Sequence, residues 1–165
     1  MSELTALQER LAGLIASLSP AARRQMAVEV AKKLRTSQQQ RIKRQQAPDG
    51  TPYAARKRQQ APDGTPYAAR KRQPVRIKKG RIKREMFAKL RTSRFMKAKG
   101  SDSAAVVEFT GKVQRMARVH QYGLKDRPNR NSRDVQYEAR PLLGYSSSDL
   151  QKVESLIMDA LCQRH

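Results

Sequence analysis

FMKAKGSDSAAVVEFT, residues 95–110, has the residue types of a β-hairpin. A first run from Phe95 to Lys99 meets Gly100-Ser101-Asp102, and AVVEFT follows at residues 105–110. β-Branched and aromatic side chains suit a pleated, half-buried surface, whereas Gly, Ser and Asp suit the reversal between strands. Gly111 ends the second strand. KVQRMARVHQYG, residues 112–123, then places Val113, Met116, Ala117 and Val119 at spacings that suit a short helix or a bent strand. LKDRPNRNSRD is a polar, proline-containing loop. VQYEARPLLG, residues 135–144, alternates apolar and polar and reads as a strand ending at Pro141.

Helical patterns surround this β-rich centre. Leu4, Leu7, Leu11, Leu14, Ile15 and Leu18 recur at three and four, with Ser2 as a candidate N-cap. Ser19-Pro20 reads as a stop and restart, since Ser caps well and proline at the first helical position loses no hydrogen bond. The second helix should run from Pro20 towards Gln46 on Met26, Val30 and Leu34. Beyond Leu34 only Ile42 is apolar, so this half is expected to project into solvent or against a partner. A third helix is expected from Arg81, with Ile82, Met86, Phe87 and Leu90 facing the core. A last helix starts after Ser146 or Ser147 and carries Leu150, Val153, Ile157 and Leu161. The class predicted is α+β, with helices packed on a small antiparallel sheet and a long basic extended arm between the second and third helices.

That arm contains a tandem duplication. QQAPDGTPYAARKR fills residues 45–58 and recurs letter for letter at residues 59–72. Pro48, Asp49 and Gly50 supply turn chemistry, and Pro52 blocks a returning helix; Pro62, Asp63, Gly64 and Pro66 repeat the pattern. The unit is shorter than the roughly 20–50 residues of solenoid repeats and has too little apolar surface to stack. It therefore reads as a copied loop. The organisation expected is a helical pair at 1–44, a basic arm at 45–80 and an α+β core at 81–165, with helices and core in one domain.

Charge is concentrated in the same region. Of a net +22, residues 35–99 carry 21 Lys or Arg against three acids. Such asymmetry implies a polyanionic neighbour, either nucleic acid or an acidic protein surface. The arm should order only on assembly, because it cannot bury enough apolar surface alone. Candidate contacts to DNA or an acidic partner are Arg56, Lys57, Arg58, Arg70, Lys71, Arg72, Arg76, Lys78 and Lys79. No zinc finger or RNA-recognition pattern is present, and only Tyr53 and Tyr67 offer rings for base stacking. DNA would thus be met through its phosphates without sequence readout.

Other chemistry finds little support. Metal-ligand spacings, a phosphate-binding Gly-rich loop and a nucleophile elbow are all missing from the sequence, so no catalytic, cofactor or metal residues are expected. His120 reads as a half-buried structural histidine beside Tyr122. The single cysteine, Cys162, precludes an internal disulfide and suits a reducing compartment. Without a leader or a long apolar run, the chain is expected to be soluble, made in the cytosol and free of membrane association.

RVHQYGL (residues 118–124) and YEARPLLGYSSSDL (residues 137–150) resemble the signature of the phage virion morphogenesis family. APDGTPYAARKR and the EMFAKLRTSRFM helix expected at residues 85–96 fit its pattern of a D-x-G-x-P-W/Y loop followed by a leucine-bearing helix. In that pattern the loop occurs once, so the second copy is an insertion. The resemblance implies a non-enzymatic virion component for tail completion and head–tail joining, assembled in the host cytoplasm. It also implies a homo-oligomeric ring, often a hexamer, next to the head connector and the tail terminator or tube proteins, with DNA passing through it. Candidate subunit or partner contacts are His120, Tyr122, Gly123, Arg140, Pro141, Leu142 and Leu143. A non-sequence-specific DNA-binding protein is the alternative.

Overall fold

The computed structural model describes residues 3–54 and 86–163. The fold is α+β, in the order α1 (Glu3–Ala16), α2 (Pro20–Lys43), β1 (Met96–Gly100), β2 (Ala105–Phe109), α3 (Gly111–Tyr122), β3 (Lys125–Asp126), β4 (Val135–Gln136) and α4 (Ser147–Cys162). Ser19 caps α2, its hydroxyl accepting from Ala22 N at 3.2 Å, and Pro20 opens the helix as its sequence predicts.

β1 and β2 pair antiparallel from Met96↔Phe109 to Gly100↔Ala105. The turn lies one residue later than its composition suggests, because the Ser101 hydroxyl accepts from Ala104 N at 3.0 Å and Ser101 N donates to Ala104 O at 2.8 Å. One face of the hairpin packs across α2. The closest approach is at Gly100, where a Cβ would sit 2.7 Å from Ala27 C and 2.8 Å from Val28 Cα. Only glycine allows helix and strand backbones to meet there.

α2 lies between two apolar clusters. Its first half contributes Met26, Val30 and Leu34 to a cluster with Leu18, against which Val153, Ile157 and Leu161 of α4 pack. Ile42 belongs to the other, with Leu90, Met96, Phe109, Val113, Ala117 and Leu142. The expectation that α2 beyond Leu34 meets solvent or a partner is therefore corrected. Gln38, Arg41 and Ile42 are buried, because the stripe continues in polar side chains that hydrogen-bond within the same chain.

Three further expectations change. Residues 86–95 form successive turns rather than a third helix. Gln45 clamps the Met86 backbone from both sides, donating to its O at 3.0 Å and accepting from its N at 3.1 Å. Phe87 then takes a left-handed φ of 64°, which no continuing helix tolerates. VQYEARPLLG supplies only a two-residue strand, Val135–Gln136, paired with Lys125–Asp126. The described strands thus make two separate two-stranded sheets instead of one. KVQRMARVHQYG resolves as α3.

Residues 45–54, assigned from sequence to the basic segment, are docked on the domain. Ala47 N donates to Thr51 O at 2.8 Å, Gly50 adopts φ 88°, and Asp49 accepts from Thr51 N at 2.9 Å. This is the turn that Pro48-Asp49-Gly50 prescribes. Tyr53 is half-buried and meets Phe87 edge-on at 5.7 Å, so it is not free to stack bases. The arm cations Arg56, Lys57, Arg58, Arg70, Lys71, Arg72, Arg76, Lys78 and Lys79, together with Tyr67 and the start of the expected third helix, lie outside the described residues.

Candidate functional site: the 139–149 strap and its clefts

Residues 139–146 run as an irregular strap over the end of α3 and the second half of α2, and residues 147–149 join it to the first turn of α4. Irregular backbone inside a fold must find partners for its N–H and C=O groups. Here side chains provide them. Gln121 accepts from Leu142 N at 2.8 Å and Leu143 N at 2.9 Å, and donates to Leu143 O at 2.9 Å. Arg41 Nη2 donates to Gly144 O at 2.7 Å, and Gln38 accepts from Gly144 N at 3.4 Å. The Tyr53 hydroxyl donates to Pro141 O at 2.7 Å, and burial pushes its pKa up to about 12.

The strap ends on a buried charge. Asp149 is 1% exposed and accepts from Ser37, from Arg41 and from Ser146 N. Its own N donates to Ser146 Oγ at 3.1 Å, completing the capping box of α4. Burial by itself raises the carboxyl's pKa. The bonds from Ser37, Ser146 and Arg41 outweigh it and hold Asp149 below the usual carboxylate range.

The residues nominated from sequence separate into distinct settings. Leu142 is a core residue, 1% exposed. Pro141 and Leu143 are half-buried within the strap. Arg140 is buried, its Nε donating to Ala54 O at 2.8 Å and its N donating to His120 O at 2.7 Å. Gly123 ends α3 with φ 64°, and a Cβ there would lie 2.8 Å from Ala139 N. His120 is half-buried, but beside Phe87 (4.8 Å) and Tyr137 (5.0 Å) rather than Tyr122. Burial, helped by the Arg140 charge, lowers its pKa. Tyr122 alone of the set stands out in solvent, 66% exposed.

α3 separates two open clefts. One, of about 430 Å³, lies between β2, α3 and the strap and is flanked by Tyr122 and by Tyr145, itself 65% exposed. The other, of about 720 Å³, is lined by Phe87, Phe95, Met116, His120, Val135 and Tyr137. His120 Nδ1 is buried beside this second cleft without a hydrogen-bond partner. Among the described residues no group of acids, histidines and cysteine could hold a metal ion, and no helix is long and apolar enough to cross a membrane.

Sequence reading missed Gln38, Arg41, Gln121 and Asp149 as the residues that fix the strap. Their signal was positional. Gln38 and Arg41 continue the Leu34 stripe at helical spacing, and Gln121 lies inside the VHQYG motif.

The sequence matches the phage virion morphogenesis family over residues 2–61 and 57–162. The chain belongs to that family. Among curated relatives, tail completion protein S of Escherichia phage P2 is 45% identical over 159 residues, covering 96% of this chain and 97% of the relative. No solved structure matches. The two family matches overlap at residues 57–61, the seam of the duplication, and each contains one complete copy of the doubled unit. The family's pattern thus takes in one unit at a time.

Proposed function

We propose that this chain is a structural, non-catalytic component of phage tail completion, acting at the head–tail junction as a homo-oligomeric ring. The observation that carries this reading is the 45% identity, over nearly the whole of both chains, to a protein named for tail completion. The surface is consistent with a subunit made for assembly. Tyr122, Tyr145, Met116 and Val106 are large apolar residues left exposed, and two of them flank a concave cleft. A projecting surface that fits a neighbour's concavity is the heterologous contact that closes rings. A hexamer is the expected ring, with the head connector and the tail terminator or tube proteins as neighbours and the basic arm towards DNA or an acidic partner surface.

Tyr122 is the nominated residue best placed to reach a neighbour. His120, Gly123, Arg140, Pro141, Leu142 and Leu143 contribute to that contact by fixing the ground on which Tyr122 stands. The test is to produce phage lacking the chain and to image particles carrying a labelled version. Unjoined heads and tails, with the label at the neck of complete particles, are the expected result. Normal joining without the chain would overturn the proposal. Tyr122→Ala with Tyr145→Ala should lower the assembled mass by light scattering without altering circular dichroism.

A further inference from the structure

A third concavity, of about 660 Å³, lies between α2 and α4 and differs in character from the clefts beside α3. α2 lines it with Lys33, Thr36, Ser37, Gln40 and the C-cap residue Arg44, and α4 with Ser148, Gln151, Lys152 and Ser155. On each helix these residues follow spacings of three and four, so each set forms one face. Leu156 is the sole apolar residue in the lining.

The charges facing this groove have one sign. Lys33, Arg44 and Lys152 line it, whereas Glu154 and Asp159 of α4 and Glu29 of α2 do not. None of the three cations makes an ion pair with a described residue. Asp149, under the Ser37 side of the floor, is neutralised by Arg41. α2 as a whole carries seven basic residues against one acid. The Thr36 and Ser37 hydroxyls already donate, to Lys32 O and to Asp149. Cations without an acidic partner, beside the Gln40, Ser148, Gln151 and Ser155 side chains, suit an anion with many oxygens.

We infer that this groove is a docking track for the phosphodiester backbone of double-stranded DNA. From Lys33 to Arg44 the helix rises about 16 Å at about 1.5 Å per residue. That matches the rise of about five nucleotides along one strand at roughly 3.4 Å each. No aromatic residue lines the groove, so it lacks the stacking platform that single strands require. Its donors are suited to phosphate and not to base edges, which makes the contact independent of sequence. The groove is built by α2 and α4 of the folded domain, so the inference stands whether or not the ring forms.

The test measures fluorescence anisotropy of a short labelled duplex of mixed sequence against the full-length chain across a salt series. The triple variant Lys33→Ala, Arg44→Ala, Lys152→Ala is compared with a charge-matched control, Lys97→Ala, Lys112→Ala, Arg130→Ala. Each lost phosphate contact removes about 0.9 from the log–log salt slope, so the groove variant should lose about 2.7. Between about 50 and about 200 mM salt, wild type should then weaken about 40-fold more than the variant. The control should keep the wild-type slope. An equal loss in both triples would reduce the groove to general electrostatics and overturn the inference. Binding of poly-glutamate that competes as well as duplex at equal charge would overturn the phosphate assignment. Unchanged circular dichroism in both triples confirms that binding alone was altered, and Lys152→Glu, far from any core contact, should reproduce the direction by itself.

Discussion

Asp149→Asn tests how the strap is held. The substitution keeps the side chain's size and removes its charge, leaving Arg41, only 5% exposed, without a counter-ion. Breaking a buried ion pair from one side costs about 3–5 kcal/mol, because the remaining charge stays out of water. With a urea m-value of about 2 kcal/mol/M, a 4 kcal/mol loss lowers the midpoint by about 2 M. The assay is urea unfolding at neutral pH followed by far-ultraviolet circular dichroism. Arg41→Met should cost a similar amount, and the double variant less than the sum, since the pair is coupled. The pH dependence has a fixed sign. Asp149 has a depressed folded pKa, so its contribution is complete above the unfolded value of about 3.9 and is lost as pH falls through the folded one. The gap between wild type and Asp149→Asn should therefore narrow in acid. A midpoint shift under about 0.5 M, or additivity in the double variant, would refute the reasoning.

Gly100→Ala and Gly144→Ala both overpack close approaches, at a typical cost of about 1–3 kcal/mol. Gly100 should cost more in thermal unfolding, because its added Cβ meets the Val28 backbone inside α2, whereas at Gly144 it meets only the Pro48 ring, at 2.5 Å. Tyr53→Phe removes the bond to Pro141 O and should cost about 1 kcal/mol in urea unfolding. It is best made in a chain lacking residues 59–72, so that the identical unit around Tyr67 is not available as a replacement. His120 should titrate by NMR below the ordinary histidine value of about 6.5, and the folded state should lose stability as pH falls through that region, since burial disfavours its cation. Deleting residues 59–72 should leave the folded domain's circular dichroism and unfolding midpoint essentially unchanged, because halving a loop alters closure entropy by only about 0.6 kcal/mol.

The sequence was most legible where short-range physics decides the structure. Ser19-Pro20 set the start of α2, the β-branched AVVEFT run set β2, and the serines at 146–147 set the start of α4. It was least legible where a polar side chain serves a distant backbone. Nothing local to EMFAKLRTSRFM opposes a helix; Gln45, 41 positions away, takes both polar groups of Met86 and diverts the chain. Alternation in VQYEARPLLG likewise suggests a strand, yet Gln121, Gln38, Arg41 and Tyr53 supply the partners that a neighbouring strand would have offered. Buried Gln38 and Arg41, and half-buried Gln45 and Gln121, pass for surface residues in composition alone. Of the candidate contact residues, Leu142 and Arg140 turn inward and Tyr122 outward, a division that the motif itself does not encode.

The docked turn at residues 45–54 has a genetic consequence. Residues 43–59 and 57–73 are the same seventeen-letter text, so removing residues 45–58 or residues 59–72 yields one and the same polypeptide. At the protein level there is no original and no copy. Every side chain the turn brings to the domain, from Pro48 under Gly144 to Tyr53 beneath Pro141, is encoded twice in tandem. Recombination between the two stretches would restore a single-unit chain in one step, with the turn's sequence intact. A lesion in one unit would leave an unaltered duplicate fourteen codons away, so the selection acting on either unit alone is relaxed while both persist. Their perfect identity then marks the duplication as recent, or as one kept uniform by exchange.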